Sequence, residues 1–249
     1  MDYASKPIIP VQLNPILTQE LRNEVDFFMK WGYLVVENAL TEPQIQLLRE
    51  AFDGMIGSKK WTFTHELLEE DDRFAFLLDN SAVLDRMKAI LGNCIQLHSA
   101  TARLTEPGTE DQPWHRDVPW PADPQGTPYG SIPGQINCGY YLDELTLENG
   151  PIVVVPGSHR ALFKPPVGFP AFPDELRILA KPGQGIIFDG ALYHRGASNN
   201  SDGNRRVCLM CYQNAWMKSR EPFNGPRVSK LREEGSSEIK LLLGEIKSW

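Results

Sequence analysis

Two hydrophobic periods divide the chain near residue 95. Before it, apolar residues recur at helical spacing; after it, short apolar runs alternate with turn clusters. Thr18 is placed to cap a first helix that carries through Phe27 and Lys30, with Gly32 as its stop. Residues 33–36 then read as a short strand. Thr41 opens a second helix: Pro43 suits its first turn, and Gln44 stands where a side chain reaches back to the Thr41 N–H. Ile45, Leu47, Leu48, Ala51 and Phe52 give that helix its apolar face. A third helix is expected over 81–91, ended by Gly92.

Beyond this point the pattern predicts strands at 95–104, 135–142, 152–155, 177–180, 185–188 and 205–212. Turn chemistry separates them: Glu106-Pro107-Gly108, Asn149-Gly150-Pro151, Pro156-Gly157, residues 181–185 and residues 198–204. Short strands so punctuated predict a jelly roll. Helices first and strands later make the class α+β, with N-terminal helices packed around a β core. The charged tail, 227–249, reads as a surface helix with a solvated face. The expected organisation is one domain over 1–249, with helical support at 1–94, a β core at 95–218 and a C-terminal extension at 219–249.

Composition narrows the function classes. The net charge of −7 lacks the basic stripe of a nucleic-acid binder. No apolar stretch approaches the ~18 residues of a membrane span. Residues 1–10 lack the basic start and apolar run of a secretory signal. Cys94, Cys138, Cys208 and Cys211 are therefore expected as free thiols in a cytoplasmic protein. Cys208 and Cys211 resemble half a zinc site, but residues three apart on a strand face opposite ways and no second pair exists.

The chemistry centres on two of the five histidines and one aspartate. In Trp114-His115-Arg116-Asp117, His115 and Asp117 share one face of an extended chain. Imidazole plus carboxylate suits ferrous iron, and His194, where an apolar strand meets a polar loop, is the candidate third ligand. The expected metal set is His115, Asp117 and His194. His159 reads as structural, capping a turn, and His65 and His98 as ordinary histidines, with a place near the pocket open to His98.

An ordered set of motifs resembles the phytanoyl-CoA dioxygenase family of iron(II)/2-oxoglutarate oxygenases, and with it the ectoine hydroxylases. The set begins with residues 27–36 and Leu40-Thr41-Glu42-Pro43. It continues with the His115/Asp117 motif, Asn149-Gly150, Pro156-Gly157-Ser158-His159, Pro182-Gly183 and Gly185, and ends with His194 and Arg205 eleven residues later. The resemblance implies a cupin-like double-stranded β-helix with Fe(II) at its mouth, and 2-oxoglutarate and O2 as cosubstrates. The implied reaction is oxidation, expected as hydroxylation, of a C–H bond in a small molecule, with succinate and CO2 released. It also implies that Arg205 clamps the distal carboxylate of 2-oxoglutarate, for which a planar guanidinium is suited. By strand parity Arg206 faces the other way. The chain departs from some relatives in having Gly196 two residues after His194, where they carry serine. It also has His98, Ser99, Thr101 and Arg103 on the preceding strand, where relatives use glutamine or lysine. Thr101 and Arg103 are the expected upstream cosubstrate contacts. A loop over 118–134, with five prolines and three glycines, is expected as a specificity lid. The alternatives are a jelly-roll binding protein and a metal-dependent enzyme without redox turnover; neither needs a carboxylate clamp beside the metal.

Overall fold

The computed structural model describes residues 17–56, 63–118, 133–161, 165–168 and 170–245. The expected lid over 118–134 lies, apart from its ends, outside the described residues, as do Trp120 and Tyr129.

The helical part forms for the reasons its sequence gives. Helix α1 (Gln19–Trp31) is capped by the Thr18 hydroxyl, which accepts from the Leu21 N–H at 3.1 Å, and it ends on Gly32 at φ +81°. A side chain at Gly32 would meet the His159 ring at 2.5 Å, so the glycine serves both turn and packing. Strand β1 (Tyr33–Val36) follows, then helix α2 (Glu42–Ile56), with the Gln44 side chain accepting from the Thr41 N–H at 2.8 Å. Pattern reading missed the next elements: strand β2 (Phe63–Thr64), the short helix α3 (Leu67–Glu70) and a 3-10 turn over Asp72–Leu77. They are too short to show a period. Helix α4 (Ser81–Leu91) matches its expected span.

The remaining strands are β3 (Ile95–Thr105), β4 (Gln135–Tyr141), β5 (Ile152–Val154), β6 (Leu176–Ile178), β7 (Gly185–Asp189), β8 (His194–Gly196) and β9 (Arg205–Asn214). They form a six-stranded sheet in the order β1-β7-β4-β9-β3-β2 and a three-stranded sheet in the order β6-β5-β8, all antiparallel. Tyr141, Ile186, Phe188 and Val207 of the large sheet pack on Ile152, Val154 and Ile178 of the small one, so the sheets face each other. This is the jelly-roll arrangement of an α+β protein.

A β-bulge at His98 sets the faces of β3. Leu97 pairs with Tyr212 and Ser99 with Cys211, leaving His98 as the extra residue. Before the bulge Ile95 and Leu97 face the helical core; after it Ala100, Ala102 and Leu104 do. Even-numbered Cys138, Tyr140, Cys208, Met210 and Tyr212 join that core. Odd-numbered Ser99, Thr101 and Arg103, Gln135, Asn137 and Tyr141, and Arg205, Val207 and Leu209 line the space between the sheets. Cys208 and Cys211 thus sit on opposite faces as parity requires, and all four cysteines are free thiols.

The tail corrects its expected form. It is two helices, α5 (Pro226–Glu234) and α6 (Ser237–Leu242), broken at Gly235. It is not merely a solvated face, because Val228, Leu242 and Leu243 enter the main core. No helix among the described residues is long and apolar enough to cross a membrane.

Candidate active site

His115, Asp117 and His194 converge, with one ligand atom from each lying within 4.8 Å of the others. The convergence is built from backbone. The segment before the motif runs beside β8: the Gln112 N–H donates to the Gly196 carbonyl at 2.9 Å, and His115 and His194 exchange N–H···O bonds at 3.1 Å each. The chain then turns, and the Asp117 N–H donates to the Gly190 carbonyl at 2.8 Å. At Gly190 an added side chain would meet Val118 at 3.1 Å and the Gln135 carbonyl at 3.3 Å, so the glycine permits this approach.

Both imidazoles are fixed in one tautomer. Nδ1 of His115 donates to the Pro113 carbonyl and Nδ1 of His194 to the Leu192 carbonyl, each at 2.9 Å. That leaves both Nε2 lone pairs turned on Asp117, at 3.8 Å from His115 and 3.5 Å from His194. Burial, then the neighbouring His194, holds the His115 imidazole below its usual pKa, which favours the neutral ligand form. The Asn137 side-chain amide donates to Asp117 Oδ2 at 2.8 Å and orients the carboxylate. Two imidazole nitrogens and one carboxylate on one side of a cavity fit a divalent metal such as Fe(II).

The site opens into a cavity of about 140 Å³ between the sheets, lined by all three of these residues and by Thr101, Arg103 and Arg205. The volume corresponds to on the order of ten water-sized groups. Arg205 is 3% exposed. Its guanidinium donates to the Thr105 hydroxyl and lies over the Tyr141 ring, but its Nε has no hydrogen-bond partner among the described residues. Burial pushes the arginine pKa down, and the nearby Arg103 adds to this. A buried cation so poorly paired is set to take an anion. Arg206 faces away, as parity predicted, donating to Asp143 at 2.7 Å and Asp53 at 2.8 Å.

The structure also explains the glycine at 196. Gln112 Oε1 accepts the Gly196 N–H at 2.8 Å, and a side chain there would meet the same oxygen at 2.8 Å. Gln112 fills the place that a serine would take. Sequence reading missed Gln112, Gln135, Asn137, Phe63 and Arg220 as cavity residues. Parity along β4 could have offered Gln135 and Asn137. Phe63 and Arg220 reach the cavity through tertiary contacts that carry no local signal.

The phytanoyl-CoA dioxygenase (PhyH) profile matches residues 28–207, most of the chain. The chain belongs to this family. Among its curated relatives is the L-proline trans-4-hydroxylase of Streptomyces griseoviridis, 22% identical over 85% of this chain and 91% of that one. Dioxygenase af480 of Aspergillus fumigatus is 29% identical over 71% of this chain, but the match spans only 56% of that protein. Of solved structures, HygX from Streptomyces hygroscopicus with nickel and 2-oxoglutarate bound superposes at a TM-score of 0.68, with 16% identity over 83% of this chain and 91% of that one. The epimerase SnoN, in complex with Fe3+ and alpha-ketoglutarate, reaches 0.64, with 16% identity over 79% and 84% of the two chains. The fold is thus the cupin-like jelly roll, and this PhyH-family protein is an iron- and 2-oxoglutarate-dependent dioxygenase.

Proposed function

We propose that this dioxygenase hydroxylates a C–H bond of a small molecule, with His115, Asp117 and His194 holding Fe(II) and Arg205 holding the distal carboxylate of 2-oxoglutarate. The observation that carries the reading is the pairing of two features in one cavity. The ligand triad has both Nε2 atoms free to bind metal, and an under-paired buried arginine lines the same space.

When bound, ferrous iron and 2-oxoglutarate supply the oxidising chemistry, in which O2, 2-oxoglutarate and R–H become succinate, CO2 and R–OH. The chain's own residues position and shield. Asn137 keeps Asp117 turned toward the two histidines. Thr105 and Tyr141 hold the Arg205 guanidinium in place, so its fork meets a carboxylate without reorganising. Thr101 and Arg103, on the next rows of β3, are assigned to the same cosubstrate. Ile152, Phe188, Val207 and Leu209 give the cavity apolar walls that limit water.

The test is anaerobic titration of Fe(II)-loaded protein with 2-oxoglutarate. A weak visible charge-transfer band is expected, and it should be lost in Arg205→Ala at concentrations that saturate the parent protein. A zinc hydrolase or isomerase, or a binding protein with vestigial metal, would give no band with Fe(II) and 2-oxoglutarate. Succinate formation stimulated by members of a metabolite panel then reports turnover.

A further inference from the structure

The cavity has two ends. Arg205 and Arg103 mark one, on the strand rows shared by Thr105, Val207 and Tyr141. The triad stands farther along, where Asn137 pairs with Cys211 and reaches Asp117. Past it lies the row of Gln135 and Gln213, and here Arg220 also lines the cavity. Four arginines line the space: Arg103, Arg195, Arg205 and Arg220. Arg195 is neutralised by Asp111 and by Glu175 at 3.5 Å. Arg103 and Arg205 belong to the cosubstrate end. Arg220 remains: it is exposed at the cavity mouth, and no hydrogen bond or ion pair holds its guanidinium among the described residues.

Its position is over-determined by the fold. The bulge at His98 turns that carbonyl outward, and it accepts from the Arg220 N–H at 3.0 Å and the Glu221 N–H at 3.3 Å. The Ser219 hydroxyl donates to the Leu97 carbonyl at 2.8 Å. The Glu221 carboxylate accepts from the Ala100 N–H at 2.8 Å and the Glu66 N–H at 3.1 Å. Residues 219–221 thus strap the open edge of β3 beyond β2 and present Arg220 at the cavity. The Arg220 charge is felt at the adjacent Glu221 carboxylate, at His98, and at Cys211 on the triad's row. Lining the same cavity, Gln135 is 3% exposed; its side chain bonds the Cys211 thiol, while its Oε1 has no hydrogen-bond partner among the described residues. A buried acceptor left unpaired is costly, and a donor from a ligand removes that cost.

We propose that the substrate is a small carboxylic acid bearing an N–H or O–H donor, as amino and hydroxy acids do. Its carboxylate pairs with Arg220 and its donor with Gln135 Oε1, which sets the carbon skeleton against Phe188, on the triad's row. The assignment rests on the cosubstrate reading above and deepens it.

The experiment is saturation-transfer NMR on zinc- and 2-oxoglutarate-loaded protein, which binds without turning over. The probes are common amino acids and small hydroxy acids, each paired with its primary amide. At least one acid should bind about tenfold more tightly than its amide, the scale of a charge-assisted hydrogen bond. Arg220→Gln should erase that preference and Arg220→Lys should restore part of it. The half-saturating 2-oxoglutarate concentration, read from the Fe(II) band, should move by less than about twofold, because Arg220 lies at the other end. Equal binding of acids and amides overturns the assignment. So does a preference that survives Arg220→Gln, or a failure of every acid to bind while 2-oxoglutarate does bind. Failure of 2-oxoglutarate itself to bind overturns the cosubstrate reading, and the assignment falls with it.

Discussion

His115 and His194 are joined by reciprocal backbone hydrogen bonds of 3.1 Å, and their rings lie 4.2 Å apart. The bridge makes the residues before the metal motif a continuation of the small sheet at β8. Two histidines 79 residues apart in sequence are therefore placed by main chain, not by their own side chains.

It follows that removing a ligand side chain spares the fold. His115→Ala, Asp117→Ala and His194→Ala should each lose stoichiometric Fe(II), measured by metal analysis after desalting. Their metal-free melting midpoints should stay within about 4 °C of the parent, on the order of 1 kcal/mol for a chain this size. A variant that keeps iron and turnover removes that residue from the triad.

Arg205 and Arg206 are neighbours with opposite surroundings, so their alanine variants should fail differently. Arg205→Ala leaves a bound carboxylate without its buried partner, a loss of about 2–5 kcal/mol, or about 30-fold or more in 2-oxoglutarate affinity. Arg206→Ala should leave that affinity alone and lower stability by roughly 1 kcal/mol, because its pairs with Asp143 and Asp53 are partly exposed. Half-saturating 2-oxoglutarate and melting temperature, measured on both variants, separate the two roles. A larger cosubstrate effect at Arg206 would reverse the assignment.

Both metal motifs, the helix caps at Thr18 and Thr41, and the facing of Arg205 could be read along the sequence, because each depends on residues close in the chain. The bulge at His98 could not. The apolar alternation changes parity there, from Ile95 and Leu97 to Ala100, Ala102 and Leu104, but only pairing with β9 shows that one extra residue within a continuous strand makes the change. Arg220 was hidden for the same reason, since its place depends on the carbonyl that the bulge frees. The tail misled because its charges outnumber the few apolar residues, Val228, Leu242 and Leu243, that anchor it.

Gly196 and Gln112 form a second coupled pair. Gly196→Ser puts a side chain against Gln112 Oε1, the far end of a flexible group that can swing away at the cost of its bond to the residue 196 N–H. Gln112→Ala clears that space. The two substitutions together should weaken 2-oxoglutarate binding by less than the sum of their separate effects, with a coupling of about 1 kcal/mol. Strict additivity in the double-mutant cycle would mean that Gln112 does not occupy the serine's place.

The last expectation concerns Asp189, at the end of β7, which is 4% exposed. Its carboxylate accepts from the Ala191 N–H at 2.8 Å, and the more distant Arg116 charge also favours the anion. Burial outweighs both and pushes the carboxyl up to about 6 from 3.8. The folded state therefore holds this proton more tightly than the unfolded chain. The resulting stability is fully present below about 4 and is lost as pH rises through about 6; above that it stays flat. Across the whole window the loss is on the order of 3 kcal/mol. Asp189→Asn keeps an oxygen for the Ala191 N–H and removes the charge, so the variant should gain on the parent as pH rises. Denaturant unfolding of metal-free protein at pH 5, 6 and 8 measures this directly: the stability difference should widen from 5 to 8. A difference that is constant with pH, or one that narrows, would show that Asp189 is not carrying a buried charge at neutral pH.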